Sequence, residues 1–178
     1  MKETSIANST TANPSPLGRP GGADIYKVLA TVMDPEIPVL SLVDLGMITD
    51  VRIAEDKITV VMLPTFTACP AIKYMQNDIM QKMKVAGYTN VEVIIDTENK
   101  WTSDRVSEKG KKALENFGLG TPPMHHGNIS GEMIAQSKCP HCGSTNTTLN
   151  SLFGSTLCRS IHFCFDCKQS FERFKPVG

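Results

Sequence analysis

The sequence has no long hydrophobic run. Although 40% of its residues are hydrophobic, no stretch approaches the ~20 apolar residues of a membrane-spanning helix. The first residues, MKETSIANSTTANPSPLGRPGG, lack the apolar core of a secretory signal. The chain is therefore expected to be cytoplasmic, with no membrane partner. Excess charge is also missing: 18 Lys and Arg balance 18 Asp and Glu among 178 residues. That balance gives no overall attraction to nucleic acid or anionic lipid. There is no Ser/His/Asp series, no glycine loop for phosphate and no dinucleotide fingerprint. No internal repeat occurs, apart from a duplicated Cys-x-x-Cys. Nothing in the chain alone builds a complete catalytic site, so it is not expected to be an enzyme by itself.

What is present is a step in cysteine content. Of the six cysteines, only Cys69 precedes residue 138; Cys139, Cys142, Cys158, Cys164 and Cys167 follow it. In a reducing compartment such cysteines point to metal ligands or a reactive thiol before disulfides. Residues 1–22 are rich in Ser, Thr, Asn, Pro and Gly and read as a disordered tail. Residues 119–137 carry paired prolines and several glycines and read as a linker. This leaves a main domain over 23–118 and a small module over 138–176.

The main domain has mixed periodicity. Ile25, Val28, Leu29 and Val32 share one face, predicting a helix over Ala23–Met33 that ends before Asp34-Pro35. Met47, Thr49, Val51 and Ile53 alternate as in a strand. Glu55-Asp56 reads as a turn. Lys57–Leu63 is apolar on both faces and predicts a central strand. Ile72, Met75, Ile79 and Met83 predict a helix over Ala68–Ala86, with Gly87 ending it. Val91, Val93 and Ile95 predict a third strand. Ser103 is the expected cap of a last helix burying Val106, Gly110, Ala113, Leu114 and Phe117. The expected fold class is α/β (α+β): a small mixed sheet with packed helices, followed by a separate zinc-ribbon module.

Cys139-Pro-His-Cys142-Gly and Cys164-Phe-Asp-Cys167-Lys are two metal knuckles. Each is a tight turn that aims two sulfurs at one cation, and two of them complete a tetrahedral zinc site. A module of this size cannot bury enough core alone, so a metal staple is expected. Strands are predicted over Thr147–Leu152 and Thr156–Phe163. Cys158 is left over; it is an extra metal ligand or a small buried hydrophobe. His141 and His162 are further candidate ligands, with His141 expected outside the metal shell. The module's Lys138, Arg159, Lys168, Arg173 and Lys175 face only Asp166 and Glu172. A tetrathiolate zinc offsets most of that excess, which argues against nucleic acid as a partner. Phe163, Phe165, Phe171 and Phe174 read as module core or a protein-docking face.

Cys69 lies in Pro64-Thr-Phe-Thr-Ala-Cys-Pro70, between the central strand and the long helix, with Pro70 expected at the first helical position. Helix amides and dipole at such a place favour the thiolate, a nucleophile or metal ligand. Thr65 and Thr67 are candidates to hydrogen-bond it. The alternative is a packed structural cysteine. Asp34-Pro-Glu36-Ile-Pro38 holds two carboxylates between prolines, suited to metal or proton work or to fixing a turn.

These strings carry a resemblance. Asp34-Pro-Glu-Ile-Pro38, Ser41-Leu-Val-Asp-Leu-Gly46, Pro64-Thr65 and Ala68-Cys-Pro70 resemble the SufT-type metal–sulfur cluster assembly family. Together with both knuckles, Phe153-Gly-Ser-Thr-Leu-Cys158, Phe171 and Phe174-Lys175, the chain is similar to the D-subunit family of the phenylacetyl-CoA epoxidase (ring 1,2-epoxidase) systems. It departs at Lys168-Gln-Ser-Phe171, where that family usually carries an acidic residue and proline. The resemblance implies a non-catalytic accessory to a multicomponent oxygenase in phenylacetate catabolism and aromatic compound degradation. It implies maturation of an iron–sulfur or iron centre, with oxygenase and reductase components and an iron–sulfur client as partners. Cys69 would be the reactive or cluster-contacting thiol, with Asp34 and Glu36 beside it. Cys139, Cys142, Cys164 and Cys167 would hold structural zinc, and Cys158 would be the family's extra cysteine. The implied cofactors are zinc and a transient iron–sulfur cluster or iron. The competing expectation is a structural component of the oxygenase complex that docks through the ribbon's phenylalanines. Sheet edges would also admit a homodimer.

Overall fold

The computed structural model describes residues 22–66 and 69–178. The expected tail, apart from Gly22, lies outside the described residues.

Three strands form the first sheet: β1 (Ile48–Ala54), β2 (Lys57–Met62) and β3 (Val91–Ile95). β2 is central, antiparallel to β1 and parallel to β3. Its sequence explains that place. Ile58, Val60 and Met62 bury one face, while Val61 and the following Leu63 bury the other. The β1–β2 hairpin turns on Glu55 and Asp56, with Glu55 at φ 53°.

Two helices pack here. α1 (Gly22–Leu29) ends sooner than its apolar stripe predicts. Past Leu29 the chain turns back: the Leu42 amide donates to the Val32 carbonyl at 2.9 Å, and Met33 bridges Ser41. Val32 is buried by that return, not by continued helix. α2 (Ile72–Val85) buries Met75, Ile79 and Met83. The Gly87 amide reaches Lys84 and the Tyr88 amide reaches Met83, both at 3.0 Å, with Gly87 at φ +94°. That is a Schellman ending, and it needs the left-handed residue that glycine supplies.

α3 (Glu108–Asn116) is capped by Ser107, whose Oγ accepts the Gly110 amide; Ser103 instead opens a 3-10 turn over Ser103–Arg105. The Ser107 amide is held by the Asp44 carbonyl at 2.8 Å, which decides between the two serines. Gly110 is buried against Leu40 and Asp44, but Phe117 is exposed. α4 (Gly131–Ala135) follows α3 in the chain and packs on the first strand of the second sheet.

The second sheet is β4 (Thr147–Ser151), β5 (Arg159–Cys164) and β6 (Ser170–Phe174), antiparallel in that order. It is welded to the first part of the chain. Phe174 is buried edge-on against Trp101, ring centres 5.8 Å apart. Gly120 donates to the Glu172 carbonyl and accepts from the Phe174 amide, each at 2.9 Å. Buried Arg173 donates to the carbonyls of Met133 and Gln136, satisfying the end of α4. Burial pulls that guanidinium down to about 10. Phe171 is buried too, so neither Phe171 nor Phe174 belongs to an exposed docking face.

Candidate functional site

The two knuckles meet at the end of the second sheet. The Sγ atoms of Cys139, Cys142, Cys164 and Cys167 all lie within 4.8 Å of one another. Cys139 and Cys167 are 3.7 Å apart, and Cys142 and Cys164 are 3.6 Å apart. Four sulfurs ~2.3 Å from one zinc ion stand about 3.8 Å from each other, so the thiols present fit a tetrahedral zinc. In each knuckle the residue after the second cysteine is left-handed: Gly143 at φ +76°, Lys168 at φ +60°. The turn then directs amides at the sulfurs. The amide of Cys167 foremost, with that of Asp166, brings the Cys164 thiol down to about 7.

Asp166 ties the knuckles together, a role its place inside Cys-x-x-Cys could have suggested. Its carboxylate accepts from the Ser144 hydroxyl and, at 2.8 Å, from Asn146 Nδ2. His162 is fully buried on the same sheet, stacked on Phe171 at 5.5 Å with Ser160 Oγ 3.0 Å from Nε2. Burial holds its imidazole down at about 4. It is a packed histidine outside the four-sulfur cluster, and His141 is exposed.

Cys158 is also apart from that cluster. It belongs to the large hydrophobic core, while Cys139, Cys164 and Phe171 form their own small one. Cys158 instead lines a cleft of about 320 Å³ together with Cys69, Glu36 and Thr65. Residues from three stretches far apart in sequence line it: Glu36 of the Asp34–Pro38 turn, then Thr65, Phe66, Cys69 and Pro70, and the Phe153–Cys158 loop. Phe153 and Leu157 rim the opening, 66% and 58% exposed.

All the predicted site residues but Thr67 have a definite place. Cys69 is half-buried and packs on the main core. Helix α2 begins at Ile72 with Ala71 as cap, so Pro70 lies before the helix, not at its first position. The Cys69 carbonyl accepts the Ile72 amide at 3.3 Å, closing a turn ahead of the helix. Thr67 lies outside the described residues. Asp34 fixes its own turn, accepting the amides of Glu36 and Ile37 at 2.9 and 2.8 Å. Burial pushes its carboxyl up, against those bonds and the Arg159 charge. Glu36 is exposed beside Cys69.

Arg159 holds the cleft's walls together, and nothing in the sequence marks it. Nη2 donates to the Glu36 carbonyl, and Nη1 to Glu172 Oε2 at 2.9 Å and Ser155 Oγ at 3.1 Å. Glu172 also accepts from the Ser155 amide and hydroxyl. The Phe153–Cys158 loop is thus clamped to the turn carrying Glu36. Gly154 is required in it: a Cβ there would stand 2.7 Å from Glu172 Oε1 and 3.0 Å from Arg159 Cβ.

Two family models match the chain. Residues 22–94 match the iron–sulfur cluster assembly protein family, and residues 126–175 match the PaaD zinc beta ribbon domain. An Escherichia coli K12 protein, named as the D subunit of a "Putative 1,2-phenylacetyl-CoA epoxidase", is 34% identical over 156 residues, covering 86% of this chain and 92% of that protein. A Porphyromonas gingivalis protein named "Fe-S protein maturation auxiliary factor" is 39% identical over 93 residues, 51% of this chain and 88% of its own. A crystal structure of a DUF59 domain from Bacillus anthracis aligns at TM-score 0.48 and 27% identity, over 52% of this chain and 89% of that one.

Proposed function

Because the chain belongs to the D-subunit family of 1,2-phenylacetyl-CoA epoxidase, we propose that it is a non-catalytic accessory subunit that helps mature an iron–sulfur or iron centre, with Cys69 contacting the cargo. The observation that carries this reading is the half-buried Cys69 in a cleft with an exposed apolar rim. A carrier must hold its cargo without sealing it away, and must dock on the protein that receives it. A reachable thiol does the first, and exposed Phe153 and Leu157 suit the second. Stable clusters take about four cysteine ligands, so a site poorer in sulfur suits transfer better than permanent residence. In this reading the clients are the iron-containing oxygenase and reductase components of the epoxidase.

The four knuckle cysteines have a separate task. They hold zinc, whose chemistry here is structural: with all four positions taken by sulfur, no open position remains for substrate.

The test is metal and acid-labile sulfide content after anaerobic purification, for wild type and Cys69→Ser. One zinc per chain in both, with iron and sulfide lost only from the variant, is expected. Cys69→Ser should fold normally but leave a client's iron centre unfilled. Normal client loading by that variant would overturn the carrier reading and leave a protein that only docks.

A further inference from the structure

Arg173 carries a buried charge that no acid answers. It is 2% exposed and pairs with no carboxylate among the described residues. Its neighbour Glu172 is taken by Arg159 at 2.9 Å. Its own contacts are all neutral. Nε donates to the Thr121 carbonyl at 3.3 Å, and Nη1 to the carbonyls of Met133 at 2.8 Å, Ile134 at 3.4 Å and Gln136 at 2.6 Å. Nη2 takes no hydrogen-bond partner among the described residues. It is not sealed either, because the sealed side-chain nitrogens without a partner are Arg159 Nε and His162 Nδ1. Buried charges are ordinarily paired. A guanidinium met only by carbonyl dipoles, with one nitrogen open, can still take an anion.

Arg173 lines a cleft of about 490 Å³ between the paired prolines, α4 and the start of the ribbon. That is the size of a small-molecule site. Lys138 lines it too, exposed and without an acidic partner among the described residues. Glu132 is the one carboxylate among the lining residues, and it accepts from Gln136 Nε2 at 3.0 Å. Pro122, Pro123 and Met133 add apolar wall. We propose that this cleft binds a small organic anion, with Arg173 Nη2 and the Lys138 ammonium taking its carboxylate or phosphate group and Pro122, Pro123 and Met133 taking its apolar body. The site shares no lining residue with the Cys69 cleft and does not rest on the carrier function. The planar guanidinium suits either head group, since both present oxygens to its N–H groups.

The test uses the full zinc-loaded chain at fixed ionic strength. Benzoate and phenyl phosphate are titrated separately, with benzamide as the uncharged control. Binding is read by calorimetry and by the Arg173 Nε–H and Thr145 amide resonances in NMR. Saturable binding of benzoate or phenyl phosphate is expected, tighter than that of benzamide and moving both resonances; the tighter of the two anions identifies the head group. Lys138→Gln should weaken it about 3-fold, the scale of an exposed charge pair. Arg173→Met should weaken it more than ~10-fold, the scale of a hydrogen bond to a charged group. No saturable binding of either anion, or benzamide binding equally well, overturns the proposal. Should Arg173→Met fail to fold, the other measurements decide: unchanged affinity in Lys138→Gln, or an unmoved Arg173 resonance in the wild type, refutes the site.

Discussion

Arg159 Nη2 donates to the backbone carbonyl of Glu36, 123 residues away in sequence. The same guanidinium pairs with Glu172 at 2.9 Å. One side chain therefore joins the ribbon to the acidic turn, and the Cys158 loop to both. Its 9% exposure makes the pair sensitive to loss of either partner. Arg159→Met should cost about 3 kcal/mol in urea unfolding, the scale of breaking a mostly buried ion pair. It should also speed alkylation of Cys158 as the loop loosens. Unchanged stability with an unchanged alkylation rate would remove Arg159 from this role.

Trp101 is the protein's one tryptophan, and it packs on Phe174 from the last strand. Its emission therefore reports whether the ribbon is docked. Phe174→Ala should destabilise by about 3–5 kcal/mol, as cavities of this size do, and shift the emission to the red. A blue emission unchanged in that variant would show that the ribbon does not seal the core.

Asp44 is the hub of the turn that seats α3. It accepts from the hydroxyls of Ser41 at 2.7 Å and Ser107 at 2.9 Å, and from Lys109 at 3.0 Å. Burial pushes its carboxyl up, but the bonds from Ser41, Lys109 and Ser107 together outweigh this and hold it below 3.8. A carboxyl lowered on folding contributes stability that is complete above its unfolded value and lost as pH falls through its folded one. Asp44→Asn should therefore lower stability near neutrality by about 1.5–3 kcal/mol. The gap to wild type should narrow below pH 3.8. Denaturant midpoints of both proteins across that range check it, and a pH-independent gap would contradict it.

The zinc-centre core is small: buried Cys139, Cys164 and Phe171, with Cys167 packed against them. Such a core cannot hold the knuckle end of the ribbon together without its metal. Chelation, or Cys142→Ser, should release zinc, abolish the ribbon's share of strand signal in circular dichroism and redden Trp101 through Phe174. Retained strand signal after complete zinc release would show that the metal is dispensable.

Much was legible because it depends on local order. A run apolar on both faces, such as Lys57–Leu63, can only be an interior strand. Two Cys-x-x-Cys turns, Gly87 after an apolar stripe, and hairpin residues Glu55-Asp56 carry their geometry within a few positions. Other features were decided at a distance. The periodicity of Ile25 to Val32 continues past Leu29, yet the return of Leu42 ends the helix. Ser103 and Ser107 look alike as caps, and only the Asp44 carbonyl selects Ser107. Phe171 and Phe174 sit in a third ribbon strand that local pattern left unassigned.

The sequence by itself determined the sulfur-rich metal centre of the ribbon, through its two Cys-x-x-Cys knuckles. Short spacings are enough for that, because knuckles and turns are short-range objects. Which cysteines line one cleft was decided only by tertiary structure. Cys158 is 6 positions from Cys164 and 89 from Cys69, yet it lines the cleft with Cys69. Burial of Phe174 on Trp101 and the reach of Arg159 to Glu36 bring the two sheets together, and long-range packing of that kind has no period in the sequence.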